Sequence, residues 1–255
     1  ELISVHTAID EHTFLTKGGQ LLTVIRVKGV DHECLDHSQL DHVARRFEAA
    51  LRSLPGAFRL YPVMLKRDHA PMPYQSYVDA TIRRVIRNRI EYLESKAGTL
   101  YSLDVFLVIV NEASLGKTGP AERLRAAARD PQRTISAWLS QRRTLEIVED
   151  DLSRAVETLT NKVQSLLVQL QDVIGLEWLD KGQAFQHLLC RLLNYVPHKS
   201  DFASLHGDED VAFQAGNSAL ECNRDHLRID DYYAQVLTLK ELRSQTHDIM
   251  LRALQ

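Results

Sequence analysis

Leu103-Asp104-Val105-Phe106-Leu107-Val108-Ile109-Val110 is the stretch that decides the fold of this chain. From Val105 to Val110 every side chain is apolar and most are β-branched, the pattern of a central strand covered on both faces. It is also the longest apolar run in the sequence, far short of the roughly 20 residues that a membrane span requires. Such a strand needs partners, and the residues before it supply them. Short alternating runs between Val5 and Val30 are interrupted at Lys17-Gly18-Gly19, which predicts a hairpin feeding a longer strand from Leu21 to Val27. Ala57 to Lys66 has strand character too, and a loop is expected at Pro71 and Pro73.

Helices alternate with these strands. Leu40, Val43, Phe47, Ala50, Leu51 and Leu54 fall at helical spacing, with Ser38 as the expected N-cap, Asp41 three residues on and Pro55-Gly56 as the stop. Ile82, Val85, Ile86, Ile90 and Leu93 predict the buried face of a second helix closing at Gly98. Strands and helices in this order give an α+β fold, with a mixed sheet built from residues 1–111 and 196–243 and flanked by helices. Within 196–243, Leu227 to Leu239 is expected as one long final strand.

Between these parts, residues 112–195 predict a long helical insertion. Ile135, Trp138, Leu145, Leu152, Val156, Leu159, Val163, Leu166, Leu170 and Val173 alternate three and four apart, with Arg142 and Glu149 as misfits. A continuous helix from Thr134 to Ile174 would be roughly 60 Å long, and a break near Glu146 to Asp151 is the alternative. Leu176 to Leu179 is a short apolar run, followed by a helix from Gly182 to Asn194 with Asp180 and Gln183 set as a capping box. Something must cover the seam. Either Phe185, Leu188, Leu189, Leu192 and Leu193 fold back on it, or part of it, including Leu145, Leu152, Val156, Leu159, Val163 and Leu166, forms an interface with another subunit.

Composition narrows the function. The 255 residues carry a net charge of -3, which argues against a dedicated nucleic-acid binder. Cys34, Cys190 and Cys222 are few, scattered and without a CxxC pair, as expected of a chain in a reducing cytoplasm. No signal peptide is visible, and a first residue Glu1 in place of Met suggests a segment of a longer protein.

The motifs that could carry chemistry have simpler readings. Gly116-Lys117-Thr118 ends like a phosphate loop, but Asn111 stands where the first glycine of that loop belongs and Pro120 follows at once. His32, Cys34, His37 and His42 make the densest group of metal-capable side chains, at spacings that suit a solvated loop better than zinc. Cys222 and His226 lie in or beside a strand, where a spacing of four shares no face. Glu149-Asp150-Asp151 and Asp208-Glu209-Asp210 are contiguous surface carboxylates. Arg83, Arg84, Arg87 and Arg89 are offset by Glu91 and Glu94 along the same helix. No GxSxG motif is present.

Several stretches resemble a known family. Ile9-Asp10, Thr16-Lys17-Gly18-Gly19-Gln20-Leu21, Val24 to Val30 and Arg59-Leu60-Tyr61 are similar to the opening of the CagE/TrbE/VirB family of conjugation and type IV secretion ATPases. Tyr232-Tyr233-Ala234-Gln235-Val236-Leu237-Thr238-Leu239-Lys240-Glu241-Leu242 resembles the strand with which that family leaves its N-terminal domain, although Arg243 stands where a proline often follows. Gly175-Leu176 and the helix before Asn194 fit more loosely.

The resemblance implies an N-terminal assembly and interaction domain. Residues 244–255 would begin a linker helix to a separate motor that binds ATP and Mg, leaving this chain with no cofactor, metal or catalytic residue of its own. It further implies inner-membrane and ATPase subunits of a secretion or conjugation machine as partners, possible self-association, no direct nucleic-acid contact, and a place at the cytoplasmic face of the inner membrane. The motor would energise pilus assembly and export of DNA or protein. A stand-alone small-molecule enzyme using scattered His and carboxylates, and a metal-binding module at His32 to His42, are the competing expectations.

Overall fold

The computed structural model describes residues 4–31, 35–68, 75, 77–96, 98–112, 141–193, 204–207, 209–216 and 218–237. Two compact units divide at Asn217 and Ser218. The first is an α+β unit in which helices cover an antiparallel sheet. Its strands are β1 (Val5–Ala8), β2 (Phe14–Thr16), β3 (Leu21–Gly29), β4 (Phe58–Asp68), β5 (Tyr101–Asn111) and β6 (Gly175–Trp178). They lie in the order β1-β2-β3-β5-β4, with β6 also pairing β3.

Every pairing among these strands is antiparallel, where the sequence suggested a mixed sheet. The reason is topological: β2 and β3 form the expected hairpin, turning at Gly19 with φ 77°, and each later strand enters beside an oppositely directed one. β5 is central as predicted, between β3 and β4. Its Phe106, Leu107, Ile109 and Val110 are buried, whereas Tyr101 and Leu103 are exposed, so both faces are covered over its second half only.

Alternation along the strands sends side chains into two cores. On one face Val5, Phe14, Leu22, Val24, Phe106 and Val110 meet Phe185, Leu188 and Leu189 of helix α4, and Val211 and Ala215 of the short helix α5 (Val211–Ala215). α4 runs from Lys181–Ala184 through a π-helical turn at Phe185–Leu189 to Cys190–Leu193. On the other face Leu21, Ile25, Leu107 and Ile109 meet Ala50 of α1 (His37–Arg52) and Leu159, Val163, Leu166 and Leu170 of α3 (Gln141–Leu170).

α3 is unbroken over its 30 residues, about 45 Å at 1.5 Å per residue, without the interruption considered near Glu146 to Asp151. The turn after it leads straight into β6, which pairs β3 from Ile25↔Trp178 to Gly29↔Gly175, so α3 and β6 share one unit with the sheet, where the sequence suggested a helical insertion. A signal for this was Gly175: a Cβ there would meet Lys28 Cβ at 3.1 Å and the Gly29 carbonyl at 3.3 Å, closer than ordinary contact, so glycine eases the approach of β6 to β3. Trp178 secures the junction. Its indole Nε1 donates to Thr23 Oγ1 (2.7 Å), its ring stacks on His12 (4.3 Å between centroids), and His12 Nδ1 lies 2.9 Å from the Leu179 carbonyl.

The N-cap of α1 lies two residues before the expected Ser38. Asp36 accepts from the Gln39 N–H (2.8 Å) while Gln39 reaches back to the Asp36 N–H (2.9 Å), and Ser38 donates to the same carboxylate from inside the first turn. α4 has the capping box read from its sequence, with Asp180 accepting from Gln183. α2 (Ala80–Glu94) forms where predicted but buries none of its residues.

The second unit, described over residues 218–237, is a three-stranded antiparallel sheet of β7 (Leu220–Cys222), β8 (Leu227–Ile229) and β9 (Tyr232–Ala234). These strands pair among themselves and do not join the main sheet, and the long strand expected from Leu227 is a hairpin. Asp230 turns it at φ 51°, and its carboxylate accepts from the Ala219 N–H (2.9 Å). Pro71, Pro73, Ile135, Trp138, His32, Cys34, Gly116, Lys117, Thr118, Asp208, Asn194 and residues 238–255 lie outside the described residues.

Candidate functional site

The seam singled out as a possible interface is core over its second half. Leu159, Val163 and Leu166 are at most 1% exposed, Leu152 and Val156 are partly buried against the same cluster, and the side chain of Leu145 lies outside the described set. Buried side chains cannot dock a partner, so Leu159, Val163 and Leu166 are corrected from interface to core. Nor is α4 their cover: its Phe185, Leu188 and Leu189 occupy the opposite face of the sheet, and α1 with the sheet closes the seam instead.

Two other places carry chemistry or contact surface. The first is polar, on the α4 face at the end of the sheet where β5 starts. Arg26 lies opposite Phe106, Arg67 opposite Ser102, and Glu177 opposite Arg26, so with Asp104 they share one face. Arg26 Nη2 donates to Asp104 Oδ1 (2.7 Å) and Arg67 Nη2 to Asp104 Oδ2, while Lys28 pairs Glu177 at 3.3 Å. Burial pushes the Asp104 carboxyl up, and hydrogen bonds from Arg26 and Arg67 outweigh it, holding the group below its ordinary value.

α4 brings His187 and Arg191 to this cluster. Burial lowers His187, and the charges of Arg26 and Arg191 lower it further against the opposing pull of Asp104 and Glu177. Burial and the charge of Arg67 lower Arg191 likewise. Sequence reasoning missed this group because Arg26 and Arg67 lie 78 and 37 positions from Asp104; only the alternation of Arg26 and Asp104 within otherwise apolar strands hinted at it.

The second place is apolar. Ile82 and Val85 on α2 are 45% and 61% exposed. The buried face predicted for α2 thus exists as a stripe with Ile86, Ile90 and Leu93 only partly covered. Arg83, Arg84, Arg87 and Arg89 on the same helix are exposed.

Elsewhere, Asp210 caps α5 through the Ala212 N–H (2.8 Å) and meets Lys17 (3.0 Å) and His6 (3.2 Å). The Lys17 hydrogen bond leads in lowering its carboxyl to about 2. Among the described residues no group of three His, Cys, Asp or Glu side chains is placed to hold a metal, and no helix is long and apolar enough to cross a membrane.

Residues 12–117, which span β2, β3, α1, β4, α2 and β5, match the family model for the type IV secretion system ATPase VirB4/TrbE, N-terminal domain. No curated protein matches the chain.

Proposed function

We propose that the chain is the assembly and interaction domain of a type IV secretion ATPase and performs no catalysis itself. The match of residues 12–117 carries this reading. ATP and Mg would bind in a motor part of the parent protein, and the partners of this domain are other subunits of the secretion machine at the cytoplasmic face of the inner membrane. Pilus assembly and the export of DNA or protein are the work that the motor would drive. The exposed stripe of α2 supports a contact role, because apolar side chains at this exposure gain free energy when a partner covers them.

The test joins both halves of the proposal. Ile82→Asp together with Val85→Asp should leave the parent protein folded, with an unchanged melting temperature, and release it from the purified machine. Retention in the machine would overturn the α2 contact. Micromolar ATP binding by the 255-residue chain, lost on Lys117→Ala, would overturn the non-catalytic reading.

A further inference from the structure

β4 lies at one edge of the main sheet and, among the described residues, pairs only β5. It has 11 residues, against four for β1 at the opposite edge. The register settles which backbone groups its outer side offers. The Glu112 N–H donates to the Ala57 carbonyl (2.8 Å), and these two residues continue the Phe58↔Asn111 pairing, which runs without a shift to Asp68↔Tyr101. In an antiparallel ladder alternate residues turn both backbone groups to the same side. Odd-numbered residues of β4 therefore bond β5, and Leu60, Pro62, Met64 and Lys66 direct theirs away from it. Pro62 agrees with this, because a residue without an N–H costs the ladder nothing at an outward position.

Such an edge is ordinarily guarded by proline or by a lysine projecting beside it. Pro62 removes one donor only. Lys66 leans the other way, with Nζ 4.4 Å from the centre of the Tyr101 ring on β5. Met64, between them on the outward-bonding set, is uncharged and 67% exposed.

Charge and donor supply select the occupant. A second β4 laid antiparallel about a two-fold axis at Met64 sets Met64 against Met64, Val63 against Leu65 and Pro62 against Lys66, and no like charges meet. An axis at Val63 would oppose Arg59 to Arg67, and an axis at Lys66 would oppose the two lysines. An axis at Pro62 would face two residues that lack an N–H, and one at Leu65 would leave Leu60 beyond the overlap and shorten the ladder.

We propose that the outer edge of β4 is the pairing surface for a second copy of this chain, antiparallel about a two-fold axis at Met64, so that one sheet runs through both copies. The inference rests on the sheet edge alone and stands whether or not the α2 stripe contacts another subunit.

The 255-residue chain is followed by sedimentation equilibrium from about 1 to 200 µM, a range that suits the weak pairing of so narrow a contact. A monomer–dimer equilibrium is expected. Met64→Lys sets like charges against each other on the axis and should weaken dimerisation about tenfold or more, and Met64→Glu should do the same. Met64 is exposed in the single chain, so both variants should keep its melting temperature. An equimolar mixture of the two should dimerise again, since lysine then faces glutamate. A chain that stays monomeric throughout would leave the edge to a strand of another protein and overturn the proposal. A dimer that Met64→Lys does not weaken, or a mixture of the variants that stays monomeric, would overturn it as well.

Discussion

α3 and α2 look alike in sequence and differ in the fold. Both space apolar residues three and four apart, yet Leu159, Val163, Leu166 and Leu170 on α3 are at most 1% exposed, while Ile82 and Val85 on α2 are 45% and 61% exposed. Periodicity identifies the apolar side of a helix and leaves open whether anything lies against it. What decides is attachment. α3 runs through a four-residue turn into β6, and the backbone pairing of β6 with β3 holds the helix over the sheet beside α1. Behind α2 the Gly98 N–H donates to Asp68 (2.7 Å), a tie that leaves the apolar stripe uncovered.

The largest effect expected from this difference is at Leu159. Leu159→Asp places a charge at a fully buried position with no partner, which should cost about 4 kcal/mol or more, a large share of the stability of an ordinary domain. Urea denaturation measures it. A loss below about 1 kcal/mol would mean that α3 can leave the sheet as easily as α2 could.

A smaller effect is expected where charge, rather than apolar packing, joins the strands. Asp104→Ala leaves Arg26 and Arg67 facing one another; with Arg26 partly in solvent, the cost should be about 2 kcal/mol, below that of a fully buried pair. The pH dependence has a definite sign. The folded-state pKa of Asp104 is lowered, so its contribution is present above the unfolded value near 3.8 and is lost as pH falls through the folded value. Melting temperatures recorded from pH 6 downward should therefore fall less steeply below about pH 4 in Asp104→Ala than in the parent chain. Parallel curves would show that Asp104 contributes nothing to acid lability.

Legibility in the sequence followed the range of the interactions. The hairpin at Lys17-Gly18-Gly19, the central strand and the capping box at Asp180 rest on neighbouring residues, and they formed where expected. The cap of α1 moved from Ser38 to Asp36 because either side chain can cap and only the three-dimensional exchange with Gln39 chooses between them. β6 was hidden by its brevity, and the split of 227–239 into two strands depended on Asp230 adopting a left-handed conformation that its type merely permits. The Arg26–Asp104–Arg67 group was illegible for a different reason: strand register, not sequence proximity, brings it together. Family resemblance anticipated the family model that residues 12–117 match without any of this geometry.

The finest distinction between the two helices comes from one substitution made twice. Val→Thr keeps the side-chain shape, and the two residues have similar helix propensities, so the backbone contributes little to either result. At Val163, which is 0% exposed, the new hydroxyl must enter the cluster of Leu21, Ile25, Leu107 and Ile109 or turn back to the carbonyl four residues earlier. That escape limits the cost to about 1 kcal/mol, well short of burying an orphan hydroxyl. At Val85, 61% exposed, the hydroxyl meets water, and Val85→Thr should change stability by less than about 0.5 kcal/mol. Paired denaturation curves of the isolated chain would show the Val163 midpoint displaced and the Val85 midpoint almost unmoved. A displacement at Val85 as large as that at Val163 would mean that α2 is already covered in the isolated chain, and its stripe would then be core instead of contact surface.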